Sequence, residues 1–307
     1  MKMAMKLNNW VVIVFGCILL FACQQQQNGF TNKSEAKNEI KNGLKEGKWI
    51  EYLDSTYRIT TDTSSPFYRL SIYKAGKPYG ITRDYLRSGK LLIELPYVNA
   101  QTNGMKKTYY ASGKIETETP LTDGKANGLE KCYYENGKLW IESNWTNGKR
   151  NGVERWYNDS GNLTEEKPYI DGKFIGVDKM YYYSGKIFHE TFYNGGDKEV
   201  VKEYYENGQI RMSDTVCDSG RVYVMKHYYE NGKISEEDTH TDSIVNRVTT
   251  YYESGKLKSI DNYPKREING IKKEYYENGK LKSETVYPRI GKGKTKYYDE
   301  NGNEIKQ

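Results

Sequence analysis

Three histidines are the side chains of this sequence best suited to acid–base chemistry or metal binding. His189, His227 and His240 lie in separate segments, without a His-x-x-His pair or the carboxylate-flanked spacing of a metal site. His189 and His240 occupy positions that hold aliphatic, small or aromatic residues elsewhere in the chain, and His227 precedes a tyrosine pair. We therefore predict no catalytic residue, no metal ligand and no cofactor site, and the chain is not expected to be an enzyme.

Two cysteines remain for other chemistry once Cys17 and Cys23 are assigned to the apolar N-terminal segment. Cys132 and Cys217 are far apart in the sequence and lack the paired spacing of a zinc or redox site. Their turns lie three repeats apart in the array described below, about 30 Å at the usual strand spacing, and a disulfide needs Cα atoms within about 7 Å. Both are predicted to be free, partly buried thiols.

Two further motifs have structural explanations. Gly291-Lys-Gly-Lys-Thr295 matches the end of a phosphate-binding loop, but Pro288 stands where that loop needs glycine and no long helix-forming stretch follows. Glu165-Glu166 and Glu236-Glu237 are adjacent carboxylates. Neighbouring residues of a strand point to opposite faces, so these carboxylates could not act as pairs.

The composition favours a thin sheet over a thick core. Of 307 residues 36% are hydrophobic, and 30 are tyrosines, whose rings are apolar while their hydroxyls can stay in water. Mean hydropathy is −0.90. The 47 basic and 41 acidic residues nearly balance and opposite charges alternate along the chain, which indicates a solvated face and no nucleic-acid partner.

The N-terminus has the layout of an export signal. Lys2 and Lys6 precede an apolar run over residues 10–21, which is short for a membrane span. Leu20-Phe21-Ala22-Cys23 resembles the lipobox of bacterial lipoproteins, which implies that residues 1–22 are removed and that Cys23 is lipidated. An ordinary cleaved signal or an N-terminal anchor helix is the alternative.

The segment after Cys23 is polar and low in complexity. We predict that residues 23–45 form the lipidated end and a flexible linker, because such a composition cannot bury a core. Gln24 follows the cysteine. By resemblance to lipoprotein sorting in double-membraned bacteria, this residue favours the outer membrane.

The rest of the chain is an internal repeat with a period of 23 or 24 residues. Each repeat has two aromatic residues, an Asn-Gly or Ser-Gly turn and an aliphatic residue, as in Tyr133–Leu139 and Tyr275–Leu281. The turn glycines are Gly89, Gly113, Gly137, Gly161, Gly185, Gly208, Gly232, Gly255, Gly279 and Gly302. This regularity predicts one β-hairpin per repeat.

The turn chemistry predicts which side chains share a face. Asn136-Gly137 is expected to form a two-residue hairpin turn with positive φ at both residues. Tyr134 would then oppose Leu139, and Tyr133 would lie on the other face beside Trp140. Where the aromatic pair stands one residue farther from the glycine, as at Trp156-Tyr157 and Tyr297-Tyr298, a wider turn or a bulge is expected. Pro96, Pro120, Pro168, Pro264 and Pro288 should mark strand ends.

The paired aromatics, the Asn-Gly-Lys-Leu turn and returns such as Gly124-x-x-x-Gly128 resemble the MORN repeat variant, the repeat of YwqK-type antitoxin proteins. The resemblance implies a meandering antiparallel sheet of hairpins, which the period also predicts. We expect an all-β, elongated, solenoid-like array over residues 46–307.

Two functions remain open. One is a lipid-anchored envelope scaffold that binds a protein or glycan partner on the sheet surface, since Tyr and Trp are enriched at interfaces. The other, implied by the resemblance, is an antitoxin or immunity protein that neutralises a toxin. Positions that differ between repeats are the expected recognition residues: Trp140, Trp145, Phe188 and His189.

Overall fold

The computed structural model describes residues 29–194, 197–217, 222–241, 244–262, 270–288 and 293–305. Within these residues it contains 28 strands, which pair antiparallel as successive hairpins, and one short 3-10 helix, Lys33–Glu35. The prediction of an all-β array of antiparallel hairpin repeats is confirmed. The chain divides into two compact units, one ending at Gly161 and one starting at Asn162.

The first unit holds strands β1 to β14. Their bounds are β1 Glu39–Lys41, β2 Leu44–Leu53, β3 Ile59–Thr60, β4 Phe67–Lys74, β5 Lys77–Leu86, β6 Leu91–Val98, β7 Gln101–Thr102, β8 Gly104–Tyr109, β9 Ile115–Thr122, β10 Lys125–Ala126, β11 Gly128–Tyr133, β12 Leu139–Thr146, β13 Lys149–Arg150 and β14 Gly152–Tyr157.

The second unit holds strands β15 to β28. Their bounds are β15 Leu163–Ile170, β16 Lys173–Phe174, β17 Gly176–Tyr181, β18 Ile187–Asn194, β19 Asp197–Tyr204, β20 Ile210–Cys217, β21 Val222–Tyr228, β22 Ile234–Thr241, β23 Ile244–Tyr251, β24 Leu257–Asn262, β25 Gly270–Tyr275, β26 Leu281–Tyr287, β27 Lys294–Tyr298 and β28 Glu304–Ile305.

The predicted geometry of the Asn-Gly turn is wrong at the repeat signature. Gly137 has φ +89°, but Asn136 is not among the residues with positive φ. The Gly137 N–H donates to the Tyr134 carbonyl at 2.8 Å and the Tyr134 N–H donates to the Lys138 carbonyl at 2.9 Å. This is the longer hairpin in which a left-handed glycine follows the turn and forms a bulge.

The changed turn reverses the predicted roles of the two tyrosines. Tyr133, the first of the pair, is the direct cross-strand partner of Leu139. Tyr134 lies in the loop between the strands. We call the first residue of each pair the leading tyrosine and the second the trailing tyrosine. The two-residue turn with positive φ occurs instead in the returns between hairpins, for example at Asn147 (φ 51°) and Gly148 (φ 80°).

The two repeats that depart from the pattern keep the same turn. The Gly161 N–H donates to the Asn158 carbonyl at 2.8 Å, and the Gly302 N–H donates to the Asp299 carbonyl at 2.9 Å. Tyr157 and Tyr298 therefore take the leading position, while Asn158 and Asp299 replace the trailing tyrosine. The expected wider turn or bulge is wrong, since the extra aromatic residue lies before the pair and not within the turn.

The prolines lie inside strands rather than at their ends. Pro96 belongs to β6, with two strand residues after it, and pairs in register with Ile81. Its carbonyl accepts from the Asn103 N–H of the return at 3.1 Å. Since both backbone groups of a strand residue face the same neighbour, proline's missing N–H falls on the return side and leaves the ladder to β5 intact.

The folded part of the chain begins earlier than the predicted linker boundary. β1 pairs with β2 before residue 46. Phe30 is only 4% exposed and packs with Tyr68, Leu70 and Tyr85 in the main apolar cluster of the first unit. A linker is therefore wrong for residues 29–45. One aromatic side chain is enough to bind this polar segment to the sheet, because a composition average hides a single anchor.

Phe30→Ala should destabilise the first unit by roughly 3–4 kcal/mol, because it deletes a buried aromatic side chain and leaves a cavity among tyrosine rings. The matched control is Ile40→Ala at a side chain that is 66% exposed, where the expected loss stays within about 0.5 kcal/mol. Chemical denaturation followed by circular dichroism measures both. Equal effects of the two substitutions would contradict the packing of Phe30.

Candidate functional site

One row of side chains crosses the strands of the first unit with alternating charge. Its members are direct partners on neighbouring strands: Arg83, Glu94, Lys107, Glu118, Lys131, Glu142 and Arg155. Ion pairs within the row join Arg83 to Glu94 at 2.7 Å and Lys107 to Glu118 at 2.9 Å. We call this set, with its counterpart in the second unit, the charge row.

Leading tyrosines bind the acidic members of the row. The Tyr133 hydroxyl donates to Glu118 at 2.9 Å, and the Tyr109 hydroxyl donates to Glu94 at 2.7 Å. Burial and then the hydrogen bond to Glu118 raise the pKa of Tyr133 to about 12. The hydrogen bond from Lys107 is the main cause that lowers the pKa of Glu118. Each carboxylate thus couples a lysine on one strand to a tyrosine of the next hairpin.

The second unit carries the same row with three exceptions. Its members are Glu166, Lys179, Glu190, Lys202, Ser213, Lys226, Glu237, Thr249, Ile260, Lys273, Glu284 and Lys296. Ser213 and Ile260 stand where the pattern has an acid, and Thr249 stands where it has a lysine. The Tyr181 and Tyr204 hydroxyls donate to Glu166 and Glu190.

Trailing tyrosines connect each hairpin to the next one along the chain. The Tyr134 hydroxyl donates to the carbonyl of Tyr157 at 2.8 Å, and the Tyr252 hydroxyl donates to that of Tyr275 at 2.6 Å. The same bond recurs from Tyr110, Tyr182, Tyr205, Tyr229 and Tyr276. The acceptor in every case is the backbone of a leading tyrosine, or its equivalent, so these bonds fix the spacing of the hairpins.

The residue three positions after each turn glycine lies on the trailing tyrosine of its own hairpin. Trp140 packs against Tyr134 with ring centroids 5.6 Å apart, and Phe188 packs against Tyr182 at 5.1 Å. Lys258 and Lys282 place their ammonium groups 5.8 Å from the rings of Tyr252 and Tyr276. We call this position the variable slot, since a constant ring carries side chains of different chemistry.

Of the predicted recognition residues, Trp140 and Phe188 therefore belong to the variable slot. Trp140 is 38% exposed and also meets Trp156 edge-on at 5.8 Å. Trp145 instead donates its indole N–H to Glu130 at 3.2 Å. His189 contacts the Thr191 hydroxyl through Nε2 at 2.7 Å and lies 3.7 Å from Glu203, which holds its ring in the sheet surface.

Two shallow grooves lie between neighbouring hairpins of the second unit. One has a volume of about 340 Å³, and its lining includes His227, Tyr229, Glu236 and Lys258. The other, of about 290 Å³, lies beside it and is lined by Tyr252, Lys258, Lys272, Glu274 and Lys282 among others. Each groove combines trailing tyrosines with lysines and one glutamate. They can take a polar or aromatic side chain, and neither holds a nucleophile beside a base.

The three histidines do not meet in one site. His189 and His227 share a row, with Glu203 and Met212 on the two strands between them. At the usual strand spacing they are about 14 Å apart. His240 lies on β22 opposite Val245. Among the described residues, no group of three or more His, Cys, Asp or Glu side chains could hold a metal ion.

Cys132 is a free thiol that is partly buried. Burial first, and then the carboxylates of Glu130 and Glu116, raise its pKa to about 11. The thiol is therefore protonated at neutral pH, which makes it a weak nucleophile. The side chain of Cys217 lies outside the described residues.

Cys23, the predicted lipidation site, and residues 291–292 of the glycine-rich motif also lie outside the described residues. Lys294 and Thr295 belong to β27, so the end of that motif enters a strand rather than a helix. Glu237 pairs with Lys226 at 3.1 Å in the charge row, whereas Glu236 lines a groove. No helix in the described part of the chain is long and apolar enough to cross a membrane.

The charge row and both tyrosine networks were not predicted. A signal for the row is present, because Glu94, Glu118, Glu142, Glu166 and Glu190 recur once per repeat, as do the basic residues opposite them. Alternation along the chain indicated only a solvated surface. Register between strands is needed to show that these charges pair with each other.

Tyr133→Phe should lower the free energy of unfolding by roughly 1 kcal/mol at neutral pH, because it removes a hydrogen bond to a carboxylate. The pKa of Tyr133 is raised from 10.0 to about 12. Its contribution is therefore complete below pH 10 and lost as the pH rises through 12. Denaturation at pH 7 to 11 should show the difference from the wild type narrowing above pH 10. Tyr183→Phe, at a ring that is 76% exposed, is the control. An equal loss in the control, or a pH-independent difference, would argue against the Tyr133–Glu118 bond.

Comparison with solved structures adds no functional argument. A chain described as "Crystal Structure of TcdB2-TccC3-TEV" is 12% identical with a TM-score of 0.20, and the match covers 82% of this chain and 16% of that one. The Photorhabdus luminescens Tc holotoxin pore with mutation TccC3-D651A is 12% identical with a TM-score of 0.19, over 83% and 18% of the two chains. This chain thus spans less than a fifth of either protein. No curated protein matches it.

Comparison with protein families identifies the repeat. Six stretches match the MORN repeat variant: residues 126–147, 150–171, 200–217, 224–242, 245–263 and 268–287. They cover the hairpins and returns from β10 onward in both units. The chain therefore contains at least six repeats of the MORN variant, as the sequence predicted.

Proposed function

We propose that this chain is a non-catalytic binding scaffold that displays its sheet surface to protein partners at the bacterial cell envelope. The observation that carries the proposal is the variable slot. A constant framework of turns, charge row and tyrosine hydrogen bonds presents side chains that change from repeat to repeat. Such a division between framework and display is typical of repeat proteins that bind partners.

The chemistry of the displayed side chains suits protein recognition. The indole of Trp140 is 38% exposed and is held by Tyr134 and Trp156, so little rotamer entropy remains to be lost on binding. Trp and Tyr anchors with neighbouring polar groups are the side chains that most often dominate interface energies. Lys258 and Lys282 extend the same surface with positive charge in the second unit.

The envelope location rests on the N-terminal sequence. Leu20-Phe21-Ala22-Cys23 supports lipidation of Cys23, and Gln24 supports sorting to the outer membrane. Lipid chains on one cysteine give stable anchoring because each buried methylene contributes about 0.8 kcal/mol. The scaffold would then act on partners that share the same compartment.

Cys23→Ala should move the protein from the membrane fraction to the soluble fraction and should abolish processing that is sensitive to globomycin. The lipid is the only anchor in this proposal, so nearly all membrane retention should be lost. Cys132→Ala is the matched control and should leave retention unchanged. A wild-type protein that is soluble, or processing that resists globomycin, would refute lipidation.

A photoreactive phenylalanine in place of Trp140 tests the scaffold role in the native envelope. The expected result is crosslinking to a discrete protein partner, because this slot is part of the proposed display surface. The same amino acid in place of Lys41, a side chain that is 67% exposed on the edge strand β1, is the control and should not capture that partner.

Two outcomes would change the proposed function. Identical crosslinks from both positions would refute a specific partner at the variable slot. Capture of a toxin, together with toxicity when this gene alone is deleted, would replace the scaffold with the second function that the repeat resemblance implies, an immunity protein.

A further inference from the structure

Two positions of the charge row replace an acid with an aliphatic side chain. Leu70 stands between Ile50 and Arg83 in the first unit. Ile260 stands between Thr249 and Lys273 in the second unit. At both places the hydroxyl of the following leading tyrosine, Tyr85 or Tyr275, faces no carboxylate in the row, and the sheet presents an apolar patch instead of an ion pair.

The first of these patches is filled by the chain's own N-terminal segment. Phe30 is 4% exposed and packs on Tyr68, Leu70 and Tyr85, and Leu70 has no exposed surface at all. The Arg83 guanidinium donates to the Phe30 carbonyl at 3.3 Å. Gly29 lies so close to the sheet that a methyl group on it would stand 3.0 Å from the Ile81 carbonyl. The patch thus holds an aromatic side chain and one backbone carbonyl of an extended segment.

The second patch repeats the residues that make these contacts. Ile260, Ile271, Lys273, Tyr275 and Leu281 stand in the strand positions of Leu70, Ile81, Arg83, Tyr85 and Leu91. Both sets have the leading tyrosine opposite a leucine, and both have the cation opposite a glutamate, Glu94 or Glu284. The match therefore includes an apolar floor, an aromatic wall and a cationic hydrogen-bond donor.

The two patches differ in how far they are covered. Leu70 and Tyr85 are buried, whereas Ile260 and Tyr275 are only partly buried. Ile271 is 36% exposed. Lys273 lies 3.8 Å from Glu284, at the long end of an ion pair, and its side chain is 42% exposed. The second patch has the composition of the occupied one and keeps its aromatic-binding surface accessible.

We propose that the patch around Ile260 binds an extended segment of a partner protein that carries an aromatic side chain. The aromatic ring lies on Ile260 and Tyr275, and the Lys273 ammonium donates to the backbone carbonyl of that aromatic residue. The site rests on the proposed binding role and gives that role its ligand chemistry. A second copy of this chain is the less favoured occupant. Its own Phe30 segment is already held in place at Leu70, where tethering gives a high effective concentration.

The other acid positions do not offer this surface. Glu94, Glu118 and Glu190 each accept a hydroxyl from a leading tyrosine and face a cation in register. An aromatic ring placed there would bury a carboxylate, which is costly. Ser213 lies 3.4 Å from the Tyr228 hydroxyl and is polar. Within the described charge row, Leu70 and Ile260 alone combine an aliphatic residue with a leading tyrosine and a cation.

The test uses the full lipidated protein and a synthetic peptide with the sequence of residues 29–38. A photoreactive phenylalanine replaces Phe30 in the peptide, and labelled residues are mapped by mass spectrometry. Labelling of β24 to β26 is expected in the wild type. Ile260→Glu, which restores the usual residue of the repeat beside Lys273 and Tyr275, should reduce that labelling at least about tenfold, as expected for losing an apolar contact for one aromatic ring.

Ser213→Glu is the matched control, since it adds the same charge at another acid position and should leave labelling of β24 to β26 unchanged. Thermal melting of both variants should match the wild type, because glutamate is the standard residue of this position. A non-photoreactive peptide with Phe30 should compete with the label, and one with alanine in its place should compete at least about tenfold more weakly.

Three results would overturn the site. One is labelling of β24 to β26 that Ile260→Glu does not reduce. Another is labelling confined to the strands around Leu70, which would mean exchange with the chain's own segment. The last is self-association in sedimentation that Ile260→Glu abolishes, which would make a second copy the occupant. Any of these can occur while the Trp140 crosslink still captures its partner, so failure of this site is distinguishable from failure of the scaffold role.

Discussion

Every hairpin of this chain depends on its neighbours, because a single layer of strands cannot enclose a core. Few apolar side chains are fully buried, and in the first unit most of them cluster around Leu70. Elsewhere the two tyrosines of each repeat make the connections. The leading hydroxyl bonds to an acid of the preceding hairpin, and the trailing hydroxyl bonds to a carbonyl of the following one. Tyrosine supplies apolar area and a directional bond in one side chain, which explains how a chain with only 36% hydrophobic residues keeps a regular fold.

Period, strand content and pairing direction could be predicted from the sequence because glycine spacing and turn chemistry are local signals. Turn type could not. Asn136-Gly137 and Asn147-Gly148 are the same dipeptide, yet only the second has positive φ at both residues. What differs is the strand register on either side, which is set by neighbouring hairpins. A dipeptide propensity gives only a weak preference between two turns that both place glycine in the left-handed region. The faces assigned to Tyr133 and Tyr134 were exchanged for this reason.

The contribution of Phe30 was hidden for a different reason. Its segment is polar on average, and averages predict disorder well only when no single side chain has a prepared place to bind. The prepared place was visible in the sequence as an anomaly, because Leu70 breaks a column that otherwise carries acids. Likewise, the variable slot was half visible. Trp140 and Phe188 stood out as unusual residues, but their common position on a trailing tyrosine follows only from the geometry of the turn.

Departures from the repeat therefore carry more functional information than the repeat itself. A position that holds glutamate in most hairpins has its carboxylate satisfied by a tyrosine and a cation, so an aliphatic residue there gives up two favourable interactions. In the first unit the burial of Phe30 offsets that loss. In the second unit Ile260 removes the same interactions, and its neighbours Tyr275 and Lys273 leave an aromatic ring and a cation available at the surface. A binding role for Ile260 accounts for this replacement, whereas a purely structural role would favour the glutamate that the framework already accommodates.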